Sequence, residues 1–180
     1  MHESGTYFKI LSLLLQYPDE AFLEALPELE AAAAELPPSR ERTGIEAFLA
    51  EVKPRSALDL QERYTAAFDL NPATTLNMTY HVWGESDKRA VLLARLQQAY
   101  TAAGYEKTTA ELPDFLPLVL EFLALVPANC PPEAIRQCCA GLPKLVDRLK
   151  TIAPFYAELL RPLAGLFGDR PADRPAEGID

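Results

Sequence analysis

The sequence predicts an all-α fold: a single-domain helical bundle of about seven to nine helices. Apolar residues recur at helical spacing along most of the chain, and no stretch alternates polar and apolar with the period of two that marks a strand. Proline steps divide the chain into lengths suited to short helices. At 180 residues with 49% hydrophobic content, the chain is long enough to fill one core.

In the first predicted helix, residues 6–16, Phe8, Leu11 and Leu15 share a face. The step from Tyr17 to Pro18 stops it, because proline disfavours the α conformation in the residue before it. Asp19 is placed to cap a second helix that buries Phe22, Leu26 and Leu29 and ends at Pro37 and Pro38. A third helix is expected over residues 42–52, before Pro54, and a fourth over residues 57–69 with Leu60, Tyr64 and Phe68 on one stripe. Beyond the segment 74–84, a helix over residues 85–103 buries Leu92, Leu96 and Ala99 and ends at Gly104, a natural C-cap. Asp114 is expected to cap the next helix at the Leu116 N–H, since Pro117 in its first turn has no N–H to offer. That helix turns Phe115, Leu118, Val119, Phe122, Leu123 and Val126 to the core and stops before Pro127. Residues 132–150, kinked between Gly141 and Pro143, and residues 154–167 complete a helical domain expected over residues 1–167. Residues 168–180 are proline-rich, charged and nearly devoid of large apolar groups, the composition of a disordered tail.

Composition narrows the function. No apolar run reaches the ~18 residues of a membrane span, and the longest is interrupted by Pro117 and Glu121, so no membrane insertion is expected. The N-terminus has neither a basic leader region nor a small-residue cleavage site, which predicts a cytoplasmic protein. A net charge of -9 disfavours nucleic acid and suits a basic partner. The acid is concentrated early: residues 19–35 hold six acidic residues and no basic one. Cys130, Cys138 and Cys139 are odd in number and include an adjacent pair, a pattern of reduced thiols rather than of a disulfide framework or zinc site.

Catalytic signatures are missing. There is no glycine-rich phosphate cradle and no nucleophile elbow. His81 and Glu85 stand at i, i+4 without a third ligand, so neither a metal nor an enzyme is predicted. The segment 76–89, LNMTYHVWGESDKR, instead gathers the single tryptophan and the one interior histidine with four charges, as a recognition surface would. Tyr64, Phe68, Tyr80, His81 and Trp83 suit an aromatic cleft, with Asp69, Glu85, Glu111 and Asp114 as acids near its rim and Arg89 beside it. An amphipathic peptide bearing Arg or Lys would lay its apolar face there. Plain structural roles stand beside these: Tyr64 and Phe68 as core, Trp83 as a plug between helices, Asp69 fixing the turn at Asn71 and Pro72, and Arg89 pairing with Glu85.

Four stretches together, residues 13–20 (LLLQYPDE), 60–70 (LQERYTAAFDL), 76–89 and 111–124 (ELPDFLPLVLEFLA), resemble the NarJ group of TorD-like chaperones, the assembly chaperones of respiratory nitrate reductase. One departure is Ala90, where the family often has glycine after the arginine. The resemblance implies a cytoplasmic protein that binds the basic, amphipathic, leader-like N-terminal segment of the nitrate reductase catalytic subunit. It implies that the apo-subunit is held until molybdenum–bis(molybdopterin guanine dinucleotide) and an iron–sulfur cluster are inserted. The chaperone then leaves, with no catalysis and no cofactor of its own. It also implies that residues 111–114 and 80–89 border the leader site. The rival expectations are a chaperone for a dimethyl sulfoxide or trimethylamine oxide reductase, and a non-enzymatic helical adaptor.

Overall fold

Short polar side chains set the first helix starts. Asp19 accepts a hydrogen bond from Phe22 N (2.9 Å), Ser39 Oγ from Arg42 N (3.2 Å) and Ser56 Oγ from Asp59 N (3.2 Å), each satisfying an N–H that the helix itself leaves open. The computed structural model describes residues 3–106, 108–126 and 131–168. These residues form α1 (Glu3–Leu14), α2 (Glu20–Ala34), α3 (Arg40–Val52), α4 (Ala57–Tyr64), the single turn α5 (Tyr80–Trp83), α6 (Asp87–Ala102), α7 (Leu116–Leu125), α8 (Glu133–Cys139), α9 (Leu142–Ile152) and α10 (Pro154–Gly168). The fold is all-α as expected; among the described residues the one β feature is an isolated antiparallel bridge between Asn77 and Phe115.

Two helix pairs organise the core. α1 runs antiparallel to α7 at close range: a Cβ on Gly5 would lie 3.0 Å from Ala124 O, and one turn on Lys9 meets Glu121. α3 and α10 approach likewise, with Gly44 against the Glu158 carbonyl and Phe48 against Phe155 and Tyr156 at 5.6 and 5.2 Å between ring centroids. Leu11, Leu14, Ile45, Leu120 and Leu123 on these helices, and Leu96 on α6, are fully shielded from solvent. Each such side chain contributes about 1.5–3 kcal/mol of hydrophobic stabilisation.

Three details differ from the expectations set by the sequence. The fourth helix does not stay α to Asp69: Thr65–Asp69 is a π-turn, in which Leu70 N bonds Thr65 O at 3.0 Å. The Ala67 carbonyl accepts the Thr74 hydroxyl instead, so a tertiary bond stabilises the irregular turn. On α6 the residue fully enclosed is Tyr100 rather than the half-buried Ala99, because the Tyr100 hydroxyl reaches Pro113 O (2.6 Å) and its ring lies 4.8 Å from that of Phe122. The expected kink near Gly141 is a full break between α8 and α9. Cys138 and Cys139 are buried and unbridged, whereas Cys130 and residues 169–180 of the expected tail lie outside the described residues; Gly168 closes α10.

Gly141 lets α9 sit directly under the turn that carries His81: an added Cβ would lie 2.7 Å from His81 Cβ and 3.1 Å from Met78 O. Gly141→Ala is therefore expected to lower the unfolding free energy by about 1–3 kcal/mol through overpacking. Urea denaturation checks this, and an unchanged midpoint would contradict the close approach.

Candidate functional site

The loop before α7 is fastened to the segment after the π-turn by backbone and side chain together. Leu116 N donates to Leu76 O (2.8 Å) and Met78 N to Asp114 O (3.0 Å), the two bonds flanking the Asn77–Phe115 bridge. This overturns the expected role of Asp114 as a helix cap: the Leu116 N–H is already used by Leu76, and the carboxylate points across the bridge. It is fully buried, accepting from Asn77 Nδ2 (3.2 Å) on one oxygen and from Thr79 N (3.1 Å) and Thr79 Oγ1 (2.5 Å) on the other. Arg89 Nη2 stands 3.8 Å away, and Arg89 Nε donates to the same Thr79 hydroxyl at 3.0 Å. Arg89 also lies over the Tyr80 ring and 3.5 Å from the solvated Glu85 carboxylate.

His81 is the second buried polar group, 3% exposed. Its Nε2 lies 2.8 Å from the Thr75 carbonyl, which can only accept, so Nε2 carries the hydrogen. Nδ1 is then the acceptor for Arg148 Nη1 at 3.3 Å, and Arg148 also holds Ala73 O while Lys144 holds the His81 carbonyl. Burial is the main force lowering the His81 pKa; the Arg148 and Lys144 charges add to it, against the Thr75 carbonyl and Asp114. Both ring nitrogens are engaged, so the imidazole serves neither as a cleft wall nor as a metal ligand.

In front of this framework lies a cavity of about 440 Å³, between the end of α1, the π-turn, residues 75–77, the loop 109–115 and α7. Tyr64, Phe68, Leu76, Phe115 and Leu118 supply its apolar walls. Asp69, Glu111 and Glu121 bring three carboxylates to it, and no Lys or Arg is among the described residues that line it. Tyr64 is held in place by its hydroxyl on Leu15 O (3.2 Å), by edge contacts with Tyr17 and Phe68, and by the Gln61 amide that fixes the neighbouring Pro18 carbonyl. Burial, then the charges of Asp69 and Glu111, push its phenol above the ordinary range, so it stays a neutral donor.

Of the ten residues singled out in the sequence, Tyr64, Phe68, Asp69 and Glu111 line this cavity. Tyr64 and Phe68 are also core residues, each 5% exposed. Asp114 and His81 are buried behind it, which corrects their expected places at rim and wall. Tyr80, Trp83, Glu85 and Arg89 are outside the cavity, on α5 and around the start of α6, with Trp83 half-buried against the core as a packing plug. The residues expected to share one aromatic cleft are divided: Tyr64 and Phe68 line this cavity, and Tyr80, His81 and Trp83 do not. Gln16, Tyr17, Asn77, Phe115, Leu118 and Glu121 also line the cavity, although none is among those ten. Glu121 left a signal: it is the one charge in the α7 sequence LPLVLEFLAL.

The fold is shared with a crystal structure described as "a Putative Redox Enzyme Maturation Protein" from Archaeoglobus fulgidus, which superimposes with a TM-score of 0.64 at 20% identity, covering 89% of this chain and 91% of that one. Residues 16–167 match the family model described as nitrate reductase delta subunit, and the chain belongs to that family. It is 33% identical over 156 residues to the Bacillus subtilis (strain 168) "Probable nitrate reductase molybdenum cofactor assembly chaperone NarJ", covering 87% of this chain and 85% of that protein. It is 35% identical over 175 residues to the Escherichia coli (strain K12) nitrate reductase molybdenum cofactor assembly chaperone NarJ, covering 94% and 73%.

Two measurements probe the framework. Asp114→Asn places an amide donor against either the Asn77 amide or the Thr79 N–H and removes the charge facing Arg89, so stability is expected to fall by about 1–3 kcal/mol; a variant as stable as the parent by urea denaturation would dismiss the network. For His81, the folded pKa lies below the unfolded value of 6.5. The unfolded chain therefore takes up the proton first, and stability declines as pH drops below about 6.5, by at most about 1.4 kcal/mol per pH unit. Unfolding measured between pH 7.5 and 5.5 is expected to show this slope in the parent and a flatter one in His81→Gln.

Proposed function

We propose that this protein is an assembly chaperone of nitrate reductase: it binds the basic, amphipathic N-terminal segment of the apo catalytic subunit and holds that subunit while the molybdenum cofactor is inserted. The observation that carries this reading is similarity along most of the chain to proteins named as nitrate reductase molybdenum cofactor assembly chaperones. The cavity supports it. Its aromatic and aliphatic walls would bury apolar side chains of one helical face, and its carboxylates would orient the positive charges. A helix of about 15 residues is ~22 Å long, so only a few side chains enter and the rest lie across the rim.

The role is non-catalytic. Chain groups act by binding alone: Tyr64, Phe68, Phe115 and Leu118 desolvate the peptide, and the buried Asp114 and Thr79, with the half-buried Arg89, keep the two wall segments in register. The molybdenum cofactor and iron–sulfur clusters belong to the client, and the chaperone leaves the finished enzyme. Binding favours the apo client only to the extent that the segment is more available there than in the filled enzyme. The reading places the protein in the cytoplasm; no described helix is long and apolar enough to cross a membrane.

Calorimetric titration with a peptide of about 15 residues from the N-terminus of the cognate catalytic subunit, beside a scrambled control, tests the proposal. Selective binding at micromolar affinity or tighter is expected, with a modest loss at higher salt because the walls are mainly apolar. A folded protein that ignores the peptide at low and moderate salt would point instead to another molybdoenzyme client or to an adaptor role.

A further inference from the structure

Glu121 lies where two cavities meet. One is the acid-bearing cavity described above; the other, of about 550 Å³, lies alongside between α1, α2 and α7, with Ile10, Leu13, Leu29 and Leu125 among its walls. Glu121 lines both, and its two oxygens are held from opposite sides. Oε2 accepts the Tyr105 hydroxyl at 3.1 Å, and Oε1 accepts Lys9 Nζ at 2.8 Å. Lys9 lines only the second cavity, so its ammonium reaches the carboxylate from outside the first.

We propose that Glu121 reads a positive charge of the bound peptide, and that Lys9 occupies the peptide's place on Glu121 until the peptide arrives. This assignment rests on the acid-bearing cavity being the peptide site. Glu121 is the single charge of the apolar α7, and no Lys or Arg among the described residues lining the cavity it faces would compete there with an incoming cation. The Lys9 partner is exchangeable: the side chains of Lys9 and Glu121 are 47% and 42% exposed, and a pair that open to water holds only weakly. Tyr105 is the fixed one. Burial, then the neighbouring Glu121 charge and hydrogen bond, push its phenol up to about 12, so it remains a donor at neutral pH and keeps the carboxylate aimed after Lys9 leaves. A guanidinium from the peptide would gain more than Lys9 gives up, because its planar fork matches a carboxylate and is less strongly hydrated than an ammonium. Glu121 is thus a specificity-determining residue, separate from the Asp69 and Glu111 carboxylates at the rim, and Lys9 is an internal competitor.

The test is calorimetric titration of the full chain and its Lys9→Met and Glu121→Gln variants. Each is titrated with the basic N-terminal peptide and with a set of peptides in which each Arg or Lys in turn is replaced by Gln. Thermal unfolding monitored by circular dichroism establishes that the variants are folded, and Glu121→Gln retains an acceptor for Tyr105. Lys9→Met is expected to tighten binding of the basic peptide about two- to five-fold, the range of an exposed ion pair, and to lose that advantage for one member of the Gln set. Glu121→Gln is expected to weaken the basic peptide and to become indifferent to that same replacement, the signature of a direct pair in a double-mutant cycle. A Lys9→Met protein that binds no tighter, or a Glu121→Gln protein that discriminates all peptides as the parent does, overturns the assignment while leaving the client reading intact. A parent chain that binds no peptide removes the client reading and this inference with it.

Discussion

A carboxylate taken completely out of water has to be surrounded by donors, and in this protein the buried Asp114 sets that requirement. Three donors from Asn77 and Thr79 converge on it, and Arg89 brings the compensating charge to 3.8 Å. Such a group adds little net stability compared with apolar packing, yet removing a partner leaves an uncompensated charge. Its effect is specificity of arrangement. The observed register of the segment 76–79 against the loop 111–115 brings Asn77 and Thr79 onto the carboxylate, and it puts Leu76, Asn77 and Phe115 around the cavity.

The helical architecture is legible in the sequence because it depends on local signals. Periodic apolar residues, the Asp19 cap and the Gly104 terminus each act within a turn or two of themselves, and the structure has them as expected. The site is legible in composition and only partly in geometry. Tyr64 and Phe68 stand out because they belong to a helical stripe that continues to the cavity wall. Asp114 misleads because its local sequence satisfies the rules for a cap, while the deciding bond comes from Leu76, 40 positions earlier in the chain than Leu116. His81 misleads for a similar reason: the partners that fix it, Thr75 and Arg148, include one on a helix far along the chain. Propensity rules rank what a residue does with its neighbours and are silent on a distant acceptor that reaches it first.

The molecule divides its polar residues into two kinds. Asp114, Thr79 and His81 are buried, have their hydrogen bonds satisfied within the chain, and hold loops in place. Asp69, Glu111 and Glu121 are at the cavity, where solvent or a ligand can exchange with the groups around them. Binding surfaces made this way adapt at the rim without loosening the frame, because the donors given to Asp114 come from Asn77 and Thr79 and the ring of His81 is held by Thr75 and Arg148, none of them a cavity carboxylate.

The π-turn at Thr65–Asp69 gives the chain length a role separate from its chemistry. It accommodates one residue more than a regular helix would, and Phe68 and Asp69 face the cavity in consequence. Deleting one residue there would let the turn close into an ordinary α-helix and leave the residues beyond it facing nearly as before, because five residues of the wide turn wind about as far as four of an α-helix, roughly 400°. What would be lost is the wide turn itself, with the Ala67 carbonyl that it leaves for the Thr74 hydroxyl. The extra residue is thus a local widening of the wall and leaves the path of the chain beyond it unchanged.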